Sequence, residues 1–87
     1  MFNLIITVGS VTTAARINKK IKSLSNIKSS VIHTPSAISQ GGCSYSIRTN
    51  YANLNLIRQM AQENKITYKK LFTETKINGE LEYNDIS

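Results

Sequence analysis

Hydrophobic and polar positions alternate along the chain in blocks that predict two helices among several strands. Residues 2–8 are apolar and rich in β-branched side chains, which is typical of a short central strand. Over residues 11–24, apolar side chains recur at the three- and four-residue spacing of one helix face, and Ser10 is a suitable N-cap for that helix. The remaining pattern predicts a second strand at 29–34 ended by Pro35, a third strand at 43–49, a second helix at 51–64 capped by Asn50, and a fourth strand at 65–74.

This order of elements predicts an α+β fold of the ferredoxin-like βαββαβ type, an antiparallel sheet with two helices on one face. The Asn78-Gly79 pair lies between two short strand-like segments and predicts a two-residue hairpin. We therefore expect a ferredoxin-like domain over residues 1–74 and a C-terminal tail over 75–87 that adds an edge hairpin.

Length and composition favour a small soluble domain. The chain has 87 residues, of which 40% are hydrophobic and 18% are charged. A chain of this size forms one domain without room for a deep catalytic cavity. No stretch is long and apolar enough for a membrane span, and residues 2–8 lack the basic leader and cleavage site of a signal peptide. These features predict a cytoplasmic protein without membrane contact.

The net charge of +6 is unevenly distributed. Residues 1–62 contain seven basic residues and no acid, whereas all five acids lie in residues 63–87. Such asymmetry is typical of a protein with an anionic partner, and it is equally typical of a solvated helix face. RNA binding through the basic first helix, with Lys19, Lys20 and Lys22, is the weaker hypothesis, because the two central strands place no aromatic residue on the face away from the helices.

The single cysteine limits the chemistry available to the chain. It excludes an internal disulfide, and a zinc site within this chain would have only His33 as a second soft ligand. A Ser-His-Asp site is disfavoured because Asp85, the only aspartate, lies two residues from the end. We expect no metal and no cofactor, and the sequence favours a carrier or binding protein over an enzyme.

The segment Gly41-Gly42-Cys43 is the first candidate site. Its glycines allow close approach of the backbone and leave amide N–H groups available to a thiol or its ligand. Right-handed crossovers place the start of the third strand beside the end of the first, near Gly9 and Ser10. His33 and Thr34 end the second strand at the same edge. A helix N-terminus there stabilises the thiolate of Cys43, so we expect the pKa of this thiol to lie below the ordinary value of about 8.5. The alternative, a small buried cysteine at a strand start, stays open.

The pattern formed by these residues resembles a family of small bacterial domains labelled "putative Se/S carrier protein-like". The resemblance covers residues 2 to about 74. It rests on the apolar first strand, a loop with serine and glycine, and a cysteine that leads into a short strand ending in arginine. The residues that carry it are Thr34, Pro35, Ser39, Gly42, Cys43 and Arg48.

The resemblance implies that Cys43 accepts sulfur or selenium as a persulfide or selenosulfide and passes it on. The implied partners are a sulfur or selenium donor protein and an acceptor protein. The residues themselves leave two positions open for Arg48: beside Cys43, where it would stabilise the carried anion, or on the open face of the sheet, on the opposite side of the strand from Cys43. Two alternatives stay open: an interaction module with a structural cysteine, including a homodimer paired through residues 76–83 or a sheet edge, and the RNA- or anion-binding domain named above.

Overall fold

The computed structural model describes residues 2–39 and 44–87 as an α+β fold with one five-stranded sheet and two α-helices. The elements in chain order are β1 (Asn3–Val8), α1 (Val11–Leu24), β2 (Ser29–His33), β3 (Tyr45–Asn50), a 3-10 turn (Tyr51–Asn53), α2 (Leu54–Gln62), β4 (Lys70–Ile77) and β5 (Glu80–Asp85).

The sheet has the strand order β2-β3-β1-β4-β5, and every neighbouring pair is antiparallel. β1 is the central strand because it is the most apolar, and it is buried from Leu4 to Val8. The hairpin predicted from Asn78-Gly79 is present: both residues have positive φ, 52° and 82°, and β5 pairs with β4 along the edge of the sheet.

The hydrophobic core lies between the sheet and both helices. β1 contributes its alternate residues Leu4, Ile6 and Val8 to a cluster that also contains the buried faces of α1 and α2. Both helices therefore pack on the same face of the sheet. The helix residues in this cluster are Ala14, Ile17, Ile21, Leu54, Ile57 and Met60.

The other face of the sheet carries the opposite set of side chains. Ile5 is fully buried there, and its direct cross-strand neighbours are Arg48 and Phe72. Tyr83 on β5 lies on the same face, opposite Glu74. The prediction that the central strands bring no aromatic residue to this face holds for β1 and β3, while β4 and β5 supply two.

The predicted start of the fourth strand at residue 65 is wrong. β4 begins at Lys70, because the chain needs residues 65–69 to return from the helix layer to the sheet. Asn64, with φ 59°, reverses the chain after α2, and the Lys65 N–H bonds to the Met60 carbonyl. Ile66 in this connection is buried in the core, which gives the segment its strand-like alternation.

In the part of the chain that the structure describes, no helix is both long enough and apolar enough to cross a membrane.

Candidate functional site

Three strand ends meet at one border of the sheet, as the topology predicted. We call this border, which is distinct from the lateral edge formed by β5, the strand-end edge. Val8 at the end of β1 lies opposite Tyr45 at the start of β3, and Tyr45 lies opposite His33 at the end of β2. The rings of His33 and Tyr45 are 4.9 Å apart between centroids and inclined by 33°. His33 is exposed, so this edge is accessible from solvent.

Residues at both ends of the 34–44 loop form hydrogen bonds to each other and to β3 at this edge. The Thr34 N–H donates to the Ser44 carbonyl at 2.9 Å, and the hydroxyl groups of Thr34 and Ser46 are hydrogen-bonded at 2.7 Å. Pro35 begins a turn, because its carbonyl accepts from the Ile38 N–H at 3.0 Å. Ser44, the residue that follows Cys43 in the chain, is thus fixed beside the end of β2.

The N-terminus of α1 opens at the same edge. The Ser10 hydroxyl accepts from the Thr13 N–H at 3.2 Å and donates to the Thr13 hydroxyl at 3.0 Å. This cap satisfies one of the free helix amides and leaves those of Val11 and Thr12 without an intrahelical acceptor. Ser10 itself is exposed.

A lysine that the sequence reasoning did not select lies at this edge. The Lys69 N–H donates to the Thr7 carbonyl at 2.8 Å, and its side chain passes over Gly9, where an added Cβ would lie 3.4 Å from Lys69 Cε and 3.8 Å from Nζ. The topology could have identified Lys69, because the start of the fourth strand, like that of the third, must meet the end of the first.

Arg48 lies away from this edge, on the face of the sheet without helices. Its Nε donates to Glu74 Oε1 at 3.0 Å and its Nη2 to Oε2 at 2.8 Å. The same carboxylate accepts from the Tyr83 hydroxyl at 2.7 Å and from Asn3 Nδ2 at 3.1 Å. The structure therefore does not bring Arg48 together with Gly9, Ser10 and His33. The anion nearest to Arg48 is Glu74.

The electrostatics of this cluster follow from its burial and its hydrogen bonds. The Glu74 side chain is 3% exposed. Burial acts to raise the pKa of Glu74, but the hydrogen bonds from Arg48, Tyr83 and Asn3 outweigh burial and hold this pKa below its ordinary value. Burial and the bond to Glu74 raise the pKa of Tyr83. The cluster is thus a neutralised, internally satisfied ion pair that joins β1, β3, β4 and β5.

Of the remaining predicted site residues, Ser39 is described and exposed. Gly41, Gly42 and Cys43 lie outside the described residues. Within residues 2–39 and 44–87, no group of three or more histidine, cysteine or acidic side chains is arranged to hold a metal ion.

Comparison with known proteins places the chain in a family. No curated protein and no solved structure matches it. A sequence model of one protein family matches residues 3–73, which include the edge described above and the glycine-cysteine segment. The chain therefore belongs to the family described as "Putative Se/S carrier protein-like".

Proposed function

We propose that this protein carries sulfur or selenium on the thiol of Cys43. The observation that carries the proposal is the family match over residues 3–73. The described edge beside Ser44 suits this role, because a carrier thiol needs a position that partner proteins can reach and a positive environment for its thiolate.

The proposed chemistry is a thiolate exchange without net oxidation or reduction. The Cys43 thiolate attacks the outer sulfur of a donor persulfide, and a new sulfur–sulfur bond forms on Cys43. The sulfur–sulfur bond of the donor breaks, and the donor cysteine leaves as a thiolate with the electron pair. Delivery to the acceptor is the same step with Cys43 as the leaving thiolate. A selenosulfide is transferred in the same way, with selenium as the outer atom. The proposed partners are therefore a donor protein and an acceptor protein.

Three features of the edge support a role in stabilising this thiolate. The free amides at the start of α1 and the helix dipole favour an anion. The Lys69 ammonium adds a positive charge beside Gly9. His33, exposed beside Tyr45, offers a further hydrogen-bond donor.

We further propose that the fold is ferredoxin-like. The first four strands are ordered β2-β3-β1-β4, α1 connects β1 to β2, and the segment containing α2 connects β3 to β4, as in a split βαβ arrangement. In this proposal residues 1–74 form the functional domain and residues 75–87 add the edge hairpin.

The first test is the pH dependence of Cys43 alkylation in the native protein, with mass detection after exposure to a persulfide donor. We expect rapid labelling near neutral pH and a mass increase of one sulfur that is absent from the Cys43→Ser variant. Labelling that occurs only after denaturation would mean that the cysteine is buried and structural, and the carrier proposal would be rejected.

A second test addresses the positive environment. Lys69→Gln removes the ammonium next to Gly9 and should slow alkylation of Cys43 at neutral pH by about threefold, as expected for a solvent-exposed charge interaction. Lys76→Gln removes the same charge from the far end of β4 and serves as the matched control. Equal rates in the two variants would exclude Lys69 from the site.

A further inference from the structure

A cleft of about 270 Å³ lies between α1 and the segment that follows α2. Two apolar residues of the core, Ile17 and Ile66, line it from below and are almost fully buried. Its polar lining is dominated by side chains that donate hydrogen bonds: Thr13, Arg16, Lys65 and Thr67.

Positive charge is concentrated around this cleft without a matching number of acids. Arg16 and Lys20 are one helical turn apart on the same face of α1, a spacing at which like charges repel. The Lys20 ammonium donates to the Lys65 carbonyl, which holds it beside the cleft. The Lys65 ammonium is 3.2 Å from the Glu63 carboxylate, whereas Arg16 has no carboxylate partner among the described residues. Three cations and one carboxylate leave a net charge of +2.

The backbone that forms one wall of the cleft is fixed by contacts within the protein. Asn64 has the left-handed conformation, and the Lys65 N–H bonds to the Met60 carbonyl at 2.9 Å, so the chain reverses tightly after α2. Ile66 then inserts into the core and holds the segment against α1. This wall of the cleft therefore exists before a ligand arrives, which lowers the entropic cost of binding.

We propose that this cleft binds a phosphate dianion, either free or as the monoester group of a small molecule. A phosphate group carries a charge of about −1.5 to −2 at neutral pH, which complements the net charge of +2 on the charged groups in and beside the cleft. The unpaired guanidinium of Arg16 offers two parallel N–H donors to a tetrahedral oxyanion. The site contains neither Cys43 nor any step of sulfur transfer, so it is independent of the carrier proposal.

The test is a titration of the full chain with inorganic phosphate at constant ionic strength, followed by ¹⁵N chemical shifts and calorimetry. Glycerol phosphate and acetate are titrated in parallel. We expect saturable phosphate binding, with shifts centred on Thr13, Arg16 and Thr67. If the monoester binds more tightly than the free ion, the physiological ligand is an ester, and the opposite order indicates free phosphate; each result supports the site. Acetate binding as tight as phosphate binding would refute a dianion site.

Charge variants distinguish a specific phosphate site from general attraction of phosphate to the basic surface. Arg16→Gln should weaken phosphate binding at least about tenfold, because it removes a charge-assisted donor pair. Lys22→Gln removes one charge from the same helix at a position about 120° away around the axis, and it should change binding less than about twofold at physiological salt. Equal weakening by both variants, or no saturable binding in the native chain, would overturn the proposal. The Cys43→Ser variant should bind phosphate as tightly as the native chain. A failure of phosphate binding is therefore distinguishable from a failure of the carrier function.

Discussion

The guanidinium of Arg48 makes two hydrogen bonds to the Glu74 carboxylate, which is 3% exposed. A buried carboxylate in this position is stable only while its donors remain in place. The Tyr83 hydroxyl and the Asn3 amide complete its hydrogen bonding. Arg48 therefore stabilises the sheet, and an anion that approached it would compete with Glu74.

The variant Glu74→Gln tests this role. It keeps the size of the side chain but removes the charge that Arg48 and Tyr83 bind, and we expect a loss of about 2 kcal/mol in the free energy of unfolding. The loss falls short of that for a fully buried pair because the Arg48 side chain is 37% exposed and regains water. Urea denaturation at neutral pH measures it.

Tyr83→Phe is the matched control, since it removes one donor to the same carboxylate and leaves the ion pair. Its expected effect is smaller, about 1 kcal/mol. If Glu74→Gln had the same urea midpoint as the native protein, the ion pair would contribute nothing to stability, and Arg48 would again be available as an anion-binding residue.

At the scale of elements, the sequence predicted best where one local signal sufficed. Ser10 and the spacing of Ala14, Ile17 and Ile21 predicted α1, and the structure confirms the cap and the buried face. The meeting of strand ends followed from crossover handedness and from the face on which Leu4, Ile6 and Val8 lie.

Other features depend on contacts between residues that are far apart in the chain, which no local sequence pattern encodes. Residues 65–69 alternate like a strand only because Ile66 enters the core while the chain crosses between layers. The partner of Arg48 lies 26 residues away, and the sequence offers five acids among which nothing local decides. Lys69 acquires its position from the pairing of β4 with β1, not from its neighbours in the chain.

The β4–β5 hairpin allows a test at the element scale. Gly79 has φ 82°, a conformation that disfavours any side chain, so Gly79→Ala should destabilise the hairpin by about 1 kcal/mol. Amide hydrogen exchange in β5 should then accelerate about fivefold. Asn78→Gly, at φ 52°, places a glycine where the backbone already favours one and should leave exchange unchanged within about twofold. Equal exchange in Gly79→Ala and the native protein would show that the turn does not limit hairpin stability.

At the scale of the whole molecule, the pKa values of three acids in this basic chain, Glu63, Glu74 and Asp85, are shifted in the same direction. A bond from Lys65 lowers the pKa of Glu63, and bonds from Ser87 lower that of Asp85. The pKa of Glu74 is lowered as well, despite burial, by its three donors. A carboxyl group whose pKa is depressed in the folded state contributes stability above its unfolded value and loses that contribution as the pH falls through its folded value. Acidification should therefore destabilise the protein.

Comparing the native protein with Glu74→Gln across pH isolates the buried acid from the exposed ones. Above the ordinary glutamate value of about 4.5, the native protein should be the more stable of the two by the full contribution of the ion pair. As the pH falls through the depressed folded-state pKa of Glu74, this carboxylate becomes protonated, both proteins then carry the same charges, and the difference between their urea midpoints should approach zero. Glu63 and Asp85 titrate identically in both proteins and cancel in the comparison. A difference that stayed constant over the whole range would mean that Glu74 stabilises the sheet through packing and not through its charge, and the depressed pKa would then have no role in holding β5 against β4.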